Sequence, residues 1–187
     1  MNATGERTDR RSGPVSGATN RLLGGARLFA LSALLLAGVG AVGDVIGWVA
    51  LTTTLGPTAY LILAHPESVT ARLRTAVTGH AVAIALGLAC LAAFGLWNHP
   101  SVAERHHDTA SQIGAQALAV GLTLFVLHLL DAHHAPAAAT ALLITSGITR
   151  PGPPLYGLLA GLALVLTLAP LLTLATSSSA ADGGDGS

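Results

Sequence analysis

The chain has 187 residues, of which 51% are hydrophobic and only 10% charged, with a formal net charge of zero and a mean hydropathy of +0.63. A soluble domain carries roughly 25% charged residues, so the ionic surface is too sparse to coat a water-exposed globule. Every basic residue is Arg and no stretch is basic enough for nucleic acid, while a single cysteine excludes a disulfide framework and a Cys-based metal motif.

Residues 1–20 are polar, Arg-containing and without an apolar period, and read as a disordered tail. Arg21 and Arg27 then precede an apolar run ending in Ala37-Gly38-Val39-Gly40-Ala41. That pattern imitates a signal peptide, but the long leader and the further apolar segments favour a retained first span. Apolar segments run over about 28–43, 45–64, 76–97, 113–130, 136–148 and 155–176, with Asp44 between the first two. A spanning helix needs about 20 such residues. The third, fourth and sixth segments reach that length or nearly so, and the first is a little short. The second is long enough but broken at Gly56-Pro57, and the fifth is about two-thirds of a span. Cys90 lies in the third segment, where a small packing role is the simplest reading. Residues 177–187 form a Ser/Ala/Gly/Asp tail that reads as disordered.

The expected fold is therefore all-α: a polytopic membrane helical bundle over 21–176, with four to six membrane segments, two of them short or proline-broken. Ala and Gly supply much of the apolar content. Small residues let helices approach closely in lipid, which suits close packing and a homo-oligomer. Arg7, Arg10, Arg11, Arg21 and Arg27 before the first span place the N-terminus in the cytoplasm of a multi-pass protein of the cell membrane. Arg72 and Arg74 return to that side if the first two segments both cross, and 98–111 faces outward. Segment 136–148 either crosses or folds back, which leaves the side of the C-terminus open.

The two proline-opened segments, Gly56-Pro57-Thr58 and His134-Ala135-Pro136, each lie between longer spans. Paired interrupted segments at matching places in two halves point to a binding site inside a membrane protein, and three crossings per half would make the halves inverted repeats. Proline suits the first turn of a helix. A helix start at membrane depth exposes free N–H groups and a partial positive charge that attract anions; ordinary proline kinks are the plain alternative. Candidate substrate-binding residues are Gly56, Pro57, Thr58, His80, His134, Pro136 and Thr140. Glu67, Arg72 and Arg74 are expected to pair in a short loop and pin two helix ends.

The run from Gly56 through Pro66-Glu67-Ser68, Arg74 and Gly79-His80, followed by His134-x-Pro136 and Ala139-Thr140-Ala141-Leu142, resembles the HPP family of integral membrane proteins. The resemblance covers roughly 28–176. It implies a membrane bundle usually described with four transmembrane helices, and nitrite transport by analogy with plant and cyanobacterial members. Here the name motif reads His134-Ala135-Pro136, so one proline is missing, and Leu73 stands where a proline often precedes the arginine.

Two rival readings accompany a transporter of a small solute, with a nitrite-like anion as first guess. One is a non-transporting membrane scaffold or regulatory subunit. The other is a metal-binding membrane protein using His128, Asp131 and His134, since imidazole plus carboxylate suits zinc. A second histidine group, His99, His106 and His107 with Asp108, falls in a loop. An ionisable group at membrane depth costs about 2.5–3.5 kcal/mol, so Asp131 and Asp44 are expected at the interface. No hydrolase, metalloprotease, phosphate-loop or haem motif occurs, and neither enzymatic activity nor a cofactor is expected. Expected partners are the lipid bilayer, further copies of the chain and a small anion.

Overall fold

A computed structural model describes residues 14–182, with side chains from 17 to 176. Among these residues all regular structure is helical, without strands. The helices are α1 (Pro14–Ile46), α2 (Leu55–Ala64), α3 (Leu73–Ala93), α4 (Val102–Arg105), α5 (Ala110–Leu129), α6 (Pro136–Thr145) and α7 (Pro153–Asp182), with a 3-10 turn at Val69–Ala71 between α2 and α3. Four of them, α1, α3, α5 and α7, are long and apolar enough to cross a membrane. At 1.5 Å per residue the ten-residue helices α2 and α6 reach only about 15 Å, half of a hydrocarbon core.

Some boundaries differ from the sequence expectation. Residues 14–20 already belong to α1 and 177–182 to α7, so the helices run into both expected tails. The remaining tail residues, 1–13 and 183–187, lie outside the described residues. Asp44 does not divide two segments; it sits in the last turn of α1, which continues to Ile46. The second segment then runs without helix from 47 to 54 and becomes α2 only at Leu55. Apolarity alone cannot distinguish those two states.

The non-helical stretch before α2 packs its backbone on α7. A methyl group built on Gly161 would collide with the Ala50 carbonyl, and one on Gly157 with that of Val49. These two glycines, four apart on one face of α7, form the groove that lets a non-helical backbone enter the bundle. Backbone at membrane depth must find internal partners. Here Trp48 N–H donates to Gly43 O at 2.9 Å, and Ala50 N–H to Trp48 O at 2.9 Å.

Both broken segments cross the bundle. Near one end, Arg27 on α1 hydrogen-bonds Thr176 on α7, and a cavity joins Gly24 and Arg27 to Ala64, Pro66 and Glu67 just past α2. At the opposite end the Trp48 and Tyr156 rings lie 5.5 Å apart, and Val102 N–H donates to Ser146 O just past α6 at 2.9 Å. So α2 descends from the second end to the first and α6 runs back the other way. The described ends of α1 and α7 share one end of the bundle.

The order long–short–long therefore occurs twice, as α1–α2–α3 and α5–α6–α7, in opposite orientations. The two sets exchange their third helices. The core formed by Leu35, Val39, Leu55, Ala59, Ile62, Leu158, Leu162 and Val165 unites α1, α2 and α7. A second core, with Ala83, Cys90, Ala119, Leu127, Ala137 and Ala141, unites α3, α5 and α6. The bundle thus consists of two lobes, each holding one short helix.

Candidate functional site

The lobes meet through a buried polar cluster. Thr58, in the first turns of α2, and Thr140, in the first turns of α6, are fully buried, and His80 on α3 and His134 just before α6 are each 2% exposed. Their positions follow from local sequence. α6 begins at Pro136 as expected, whereas Pro57 is the third residue of α2, after Leu55 and Gly56. Neither helix has a side-chain N-cap. Gly79 admits the ring of His134, since a methyl group there would lie 2.8 Å from His134 Cβ and 3.2 Å from its Cγ and Cδ2.

His80 is the hub. Its Nδ1 lies 2.9 Å from Thr140 Oγ1, and its Nε2 lies 3.1 Å from Thr58 Oγ1 and 3.2 Å from His134 Nε2. His134 Nδ1 is 3.1 Å from the Thr70 carbonyl, and the Thr58 hydroxyl donates to Thr54 O at 2.9 Å. The two imidazoles meet edge to face, with centroids 4.9 Å apart.

Hydrogen-bond chemistry fixes the direction of this chain. A carbonyl only accepts, so His134 Nδ1 carries a proton and, in the neutral ring, Nε2 is bare. His80 Nε2 must then carry the proton that it donates to His134 Nε2, shared with Thr58 Oγ1. That leaves His80 Nδ1 bare, and it accepts from the Thr140 hydroxyl. Two neutral histidines thus satisfy every contact, and every hydrogen has one direction. Buried polar groups without partners are costly, and each nitrogen in this cluster has one.

Pro57 faces elsewhere, whereas Pro136 is buried at the start of α6. Pro57 is exposed, and with Tyr60, Leu61, Ala135, Pro136 and Ala139 it lines a shallow apolar groove of about 290 Å³ on the side of the bundle. The residues that turn inward are the threonines, Thr58 beside Pro57 and Thr140 one helical turn beyond Pro136. Gly56 is half-buried in the first turn of α2.

The expected loop pairing does not form. Glu67 Oε1 faces His65 Nδ1 at 3.8 Å, and among the described residues neither Arg72 nor Arg74 pairs with a carboxylate. Both arginines instead line a polar cavity of about 360 Å³ together with Val69, Thr75, Thr78 and Asp131. The cavity opens beside Thr70, the residue whose carbonyl holds His134. Charge count alone suggested pairing, but the extended backbone of Arg72 (φ −61°, ψ 134°) ends the 3-10 turn and separates the side chains from Glu67.

The alternative metal set also comes apart. His134 turns into the bundle, while His128 and His133 pack ring to ring at 5.7 Å and His133 lies 3.5 Å from Asp131. Among the described residues no three of His, Cys, Asp and Glu are placed to hold a metal ion. Asp131 instead terminates a helix. At φ +49° it ends α5, with Ala132 N–H donating to Leu127 O at 2.9 Å and Asp131 N–H to His128 O at 3.2 Å. This is the left-handed helix stop usually filled by Gly, and Asp tolerates it better than most residues.

In the loop between α3 and α5 Ser101 caps α4. Its N–H donates to Glu104 Oε2 at 2.6 Å and its hydroxyl accepts from Glu104 N–H. The Ser101 backbone and side-chain hydrogen bonds hold the Glu104 carboxyl below the usual range, and Arg150 at 3.2 Å adds to this.

The site also holds two residues that no sequence signal marked. Thr54 and Thr70 act through their main-chain carbonyls, and only the fold brings a carbonyl to a given side chain.

Four long apolar helices, two half-length helices with their first turns meeting inside, and a buried Thr–His–His–Thr cluster between them define a polytopic helical membrane protein with broken spans. The model of the HPP transmembrane region matches residues 19–180. The chain belongs to the HPP family. Nothing among curated proteins or solved structures matches it.

Proposed function

We propose that the protein is a transporter that passes a small anion, nitrite first among candidates, between its two lobes at the Thr58–His80–His134–Thr140 cluster. The observation that carries this reading is the cluster itself. Polar side chains inside a membrane bundle are expensive and usually mark a solute or ion path. Here they gather where the first turns of two half-length helices meet, the arrangement that broken-helix transporters use to hold a substrate.

The helix starts contribute a positive partial charge. The Leu55, Thr58, Ala137 and Ala138 N–H groups and the Thr58 hydroxyl already donate to backbone carbonyls, so Thr140 is the side-chain donor that can turn to the anion. Arg72 and Arg74, unpaired in the cavity beside Thr70, draw anions toward one mouth. The arginine distribution supports a cytoplasmic N-terminus, so that mouth faces the cytoplasm of a cell-membrane protein. The choice of nitrite rests on family analogy, which is an association rather than geometry.

Since the lobes pack closely around the cluster, passage requires one lobe to rock on the other. The shallow groove at Pro57 and Pro136 is apolar and open sideways, which favours lipid or a second copy of the chain there rather than the solute. The test is flux in proteoliposomes made from the full chain. Nitrite, nitrate or formate should cross faster than in empty vesicles, and Thr140→Val should slow it. No movement of any of the three above empty vesicles would overturn the reading.

A further inference from the structure

Thr140 is a donor whose only hydrogen is already committed. Its hydroxyl gives that hydrogen to His80 Nδ1, and the Thr58 hydroxyl gives its own to Thr54 O. In this state neither hydroxyl is free to bind an anion, and both imidazoles are neutral. An anion entering now would find no charge and no spare side-chain donor.

One added proton changes both conditions. The two histidines have four ring nitrogens, of which two carry hydrogen and one, His134 Nε2, accepts from His80. The remaining lone pair is His80 Nδ1. A proton placed there does not break the histidine–histidine bond or the bond to Thr70. It reverses a single contact: His80 Nδ1–H now donates to Thr140 Oγ1. The Thr140 hydrogen is thereby released to point at a bound anion, and the ring pair gains one positive charge. Proton and anion then favour each other's binding, and by linkage each raises the affinity for the other by the same factor.

We infer that the His80–His134 pair takes up one proton with each anion, so that the protein is an electroneutral proton–anion symporter. This rests on the transporter reading above and adds its coupling ion and stoichiometry. The proton is supplied by water, reaches His80 Nδ1 and leaves it on the other side; no covalent bond to the anion forms.

The surroundings leave the pair as the proton acceptor. α2 offers the cluster Thr58, with Thr54 just before it, and α6 offers Thr140; on α5 His128 is exposed against His133. On α3 the titratable groups on either side of His80 are Arg74, at the mouth of the open cavity, and Cys90, nearly three turns away. The charged groups nearest the His134 end are Arg72, Arg74 and Asp131 around the open cavity. Asp131 is 97% exposed and faces His133, whereas His65, Glu67 and Tyr60 pair among themselves at the surface. None of these is buried with the pair. Asp44 and Tyr156 lie at the far end of the bundle.

Two measurements on the full chain test the inference. In detergent, nitrite affinity is followed by ligand-dependent thermal stabilisation across a pH range in which nitrite stays ionised. Uptake of one proton with the anion tightens the apparent Kd about tenfold for each unit of falling pH, and His80→Gln flattens that dependence. In proteoliposomes holding a pH dye, nitrite influx above the empty-vesicle baseline brings one proton per nitrite and ignores an imposed membrane potential.

Nitrite flux that follows the potential and carries no proton, or wild-type affinity independent of pH, overturns the symport inference and leaves the anion reading standing. Absence of any nitrite, nitrate or formate flux overturns the reading itself, and the inference with it. Where His80→Gln is not recovered folded, the wild-type pH dependence and proton stoichiometry decide alone.

Discussion

Gly79→Ala tests how tightly the cluster depends on the close approach of α3 to the second broken span. The added methyl would lie 2.8 Å from His134 Cβ and 3.2 Å from its Cγ and Cδ2. Unstrained carbon contacts are about 3.5–4.0 Å, so His134 must retreat by roughly 1 Å. Its bonds of 3.1 and 3.2 Å to Thr70 and His80 then exceed hydrogen-bonding range. Overpacking costs about 1–3 kcal/mol, and a buried partner left unsatisfied costs about 1–3 kcal/mol more. The higher helix propensity of Ala returns up to about 1 kcal/mol. The net loss is about 1–6 kcal/mol, which in a chain of this size lowers the apparent Tm by roughly 2–24 °C. Gly121→Ala is the matched control: nothing lies within 4 Å of its new methyl group, so it should not destabilise. Thermal unfolding of both variants in the same detergent, at one scan rate, makes the comparison. Equal melting temperatures for the two would refute the idea that Gly79 seats His134.

Three further outcomes follow from particular residues. Ala135→Pro restores the missing family proline at an exposed position whose φ of −54° proline accepts and whose N–H makes no backbone hydrogen bond. By restricting the unfolded chain it should stabilise by about 0.4–1 kcal/mol, seen as a raised apparent Tm; a fall would mean the backbone at His134 cannot precede a proline. Thr123 on α5 buries a hydroxyl with no partner among the described residues, so isosteric Thr123→Val should raise stability by about 1 kcal/mol in the same melt, and a lower Tm would contradict this. Glu104 has a folded pKa depressed chiefly by the Ser101 backbone. Its contribution is present above the ordinary glutamate value and is lost as pH falls through the depressed one. Hydrogen exchange at 101–106 should therefore stay slow until pH drops below the usual carboxylate range, and Ser101→Ala should move the loss to higher pH.

Much of this architecture was legible in the chain. Length and apolarity placed α3, α5 and α7, and they marked 136–148 as too short for an ordinary span. Proline chemistry located the start of α6 and the first turn of α2. Hydropathy could not show that residues 47–54 are non-helical, because an apolar stretch reads alike in either state. The deciding contact there is with Gly157 and Gly161, more than a hundred residues away. The same limit separates Pro57 from the adjoining Thr58, and Pro136 from Thr140 one turn on. Sequence drew attention to Pro57 and Pro136, while helix rotation turned Thr58 and Thr140 inward. His80 stood out as a polar residue in a span, but its partners come from two other segments, α2 and the stretch from His134 to Thr140. The charged candidates failed for a local reason: Asp131 serves as a helix stop, and Glu67 is taken by His65.

Passage of an anion between the lobes at this cluster is the central claim. Substituted cysteines test it most directly, since Cys90 is buried and can be replaced by Ala to give a silent background. Thr58→Cys and Thr140→Cys, in vesicles of known orientation, are exposed to a membrane-impermeant thiol reagent with and without nitrite, with Ala139→Cys in the shallow apolar groove as control. The expected result is slow labelling of positions 58 and 140 that nitrite reduces in a concentration-dependent way, with position 139 indifferent to nitrite. No labelling at 58 or 140 from either side, or labelling that nitrite leaves unchanged, would contradict it.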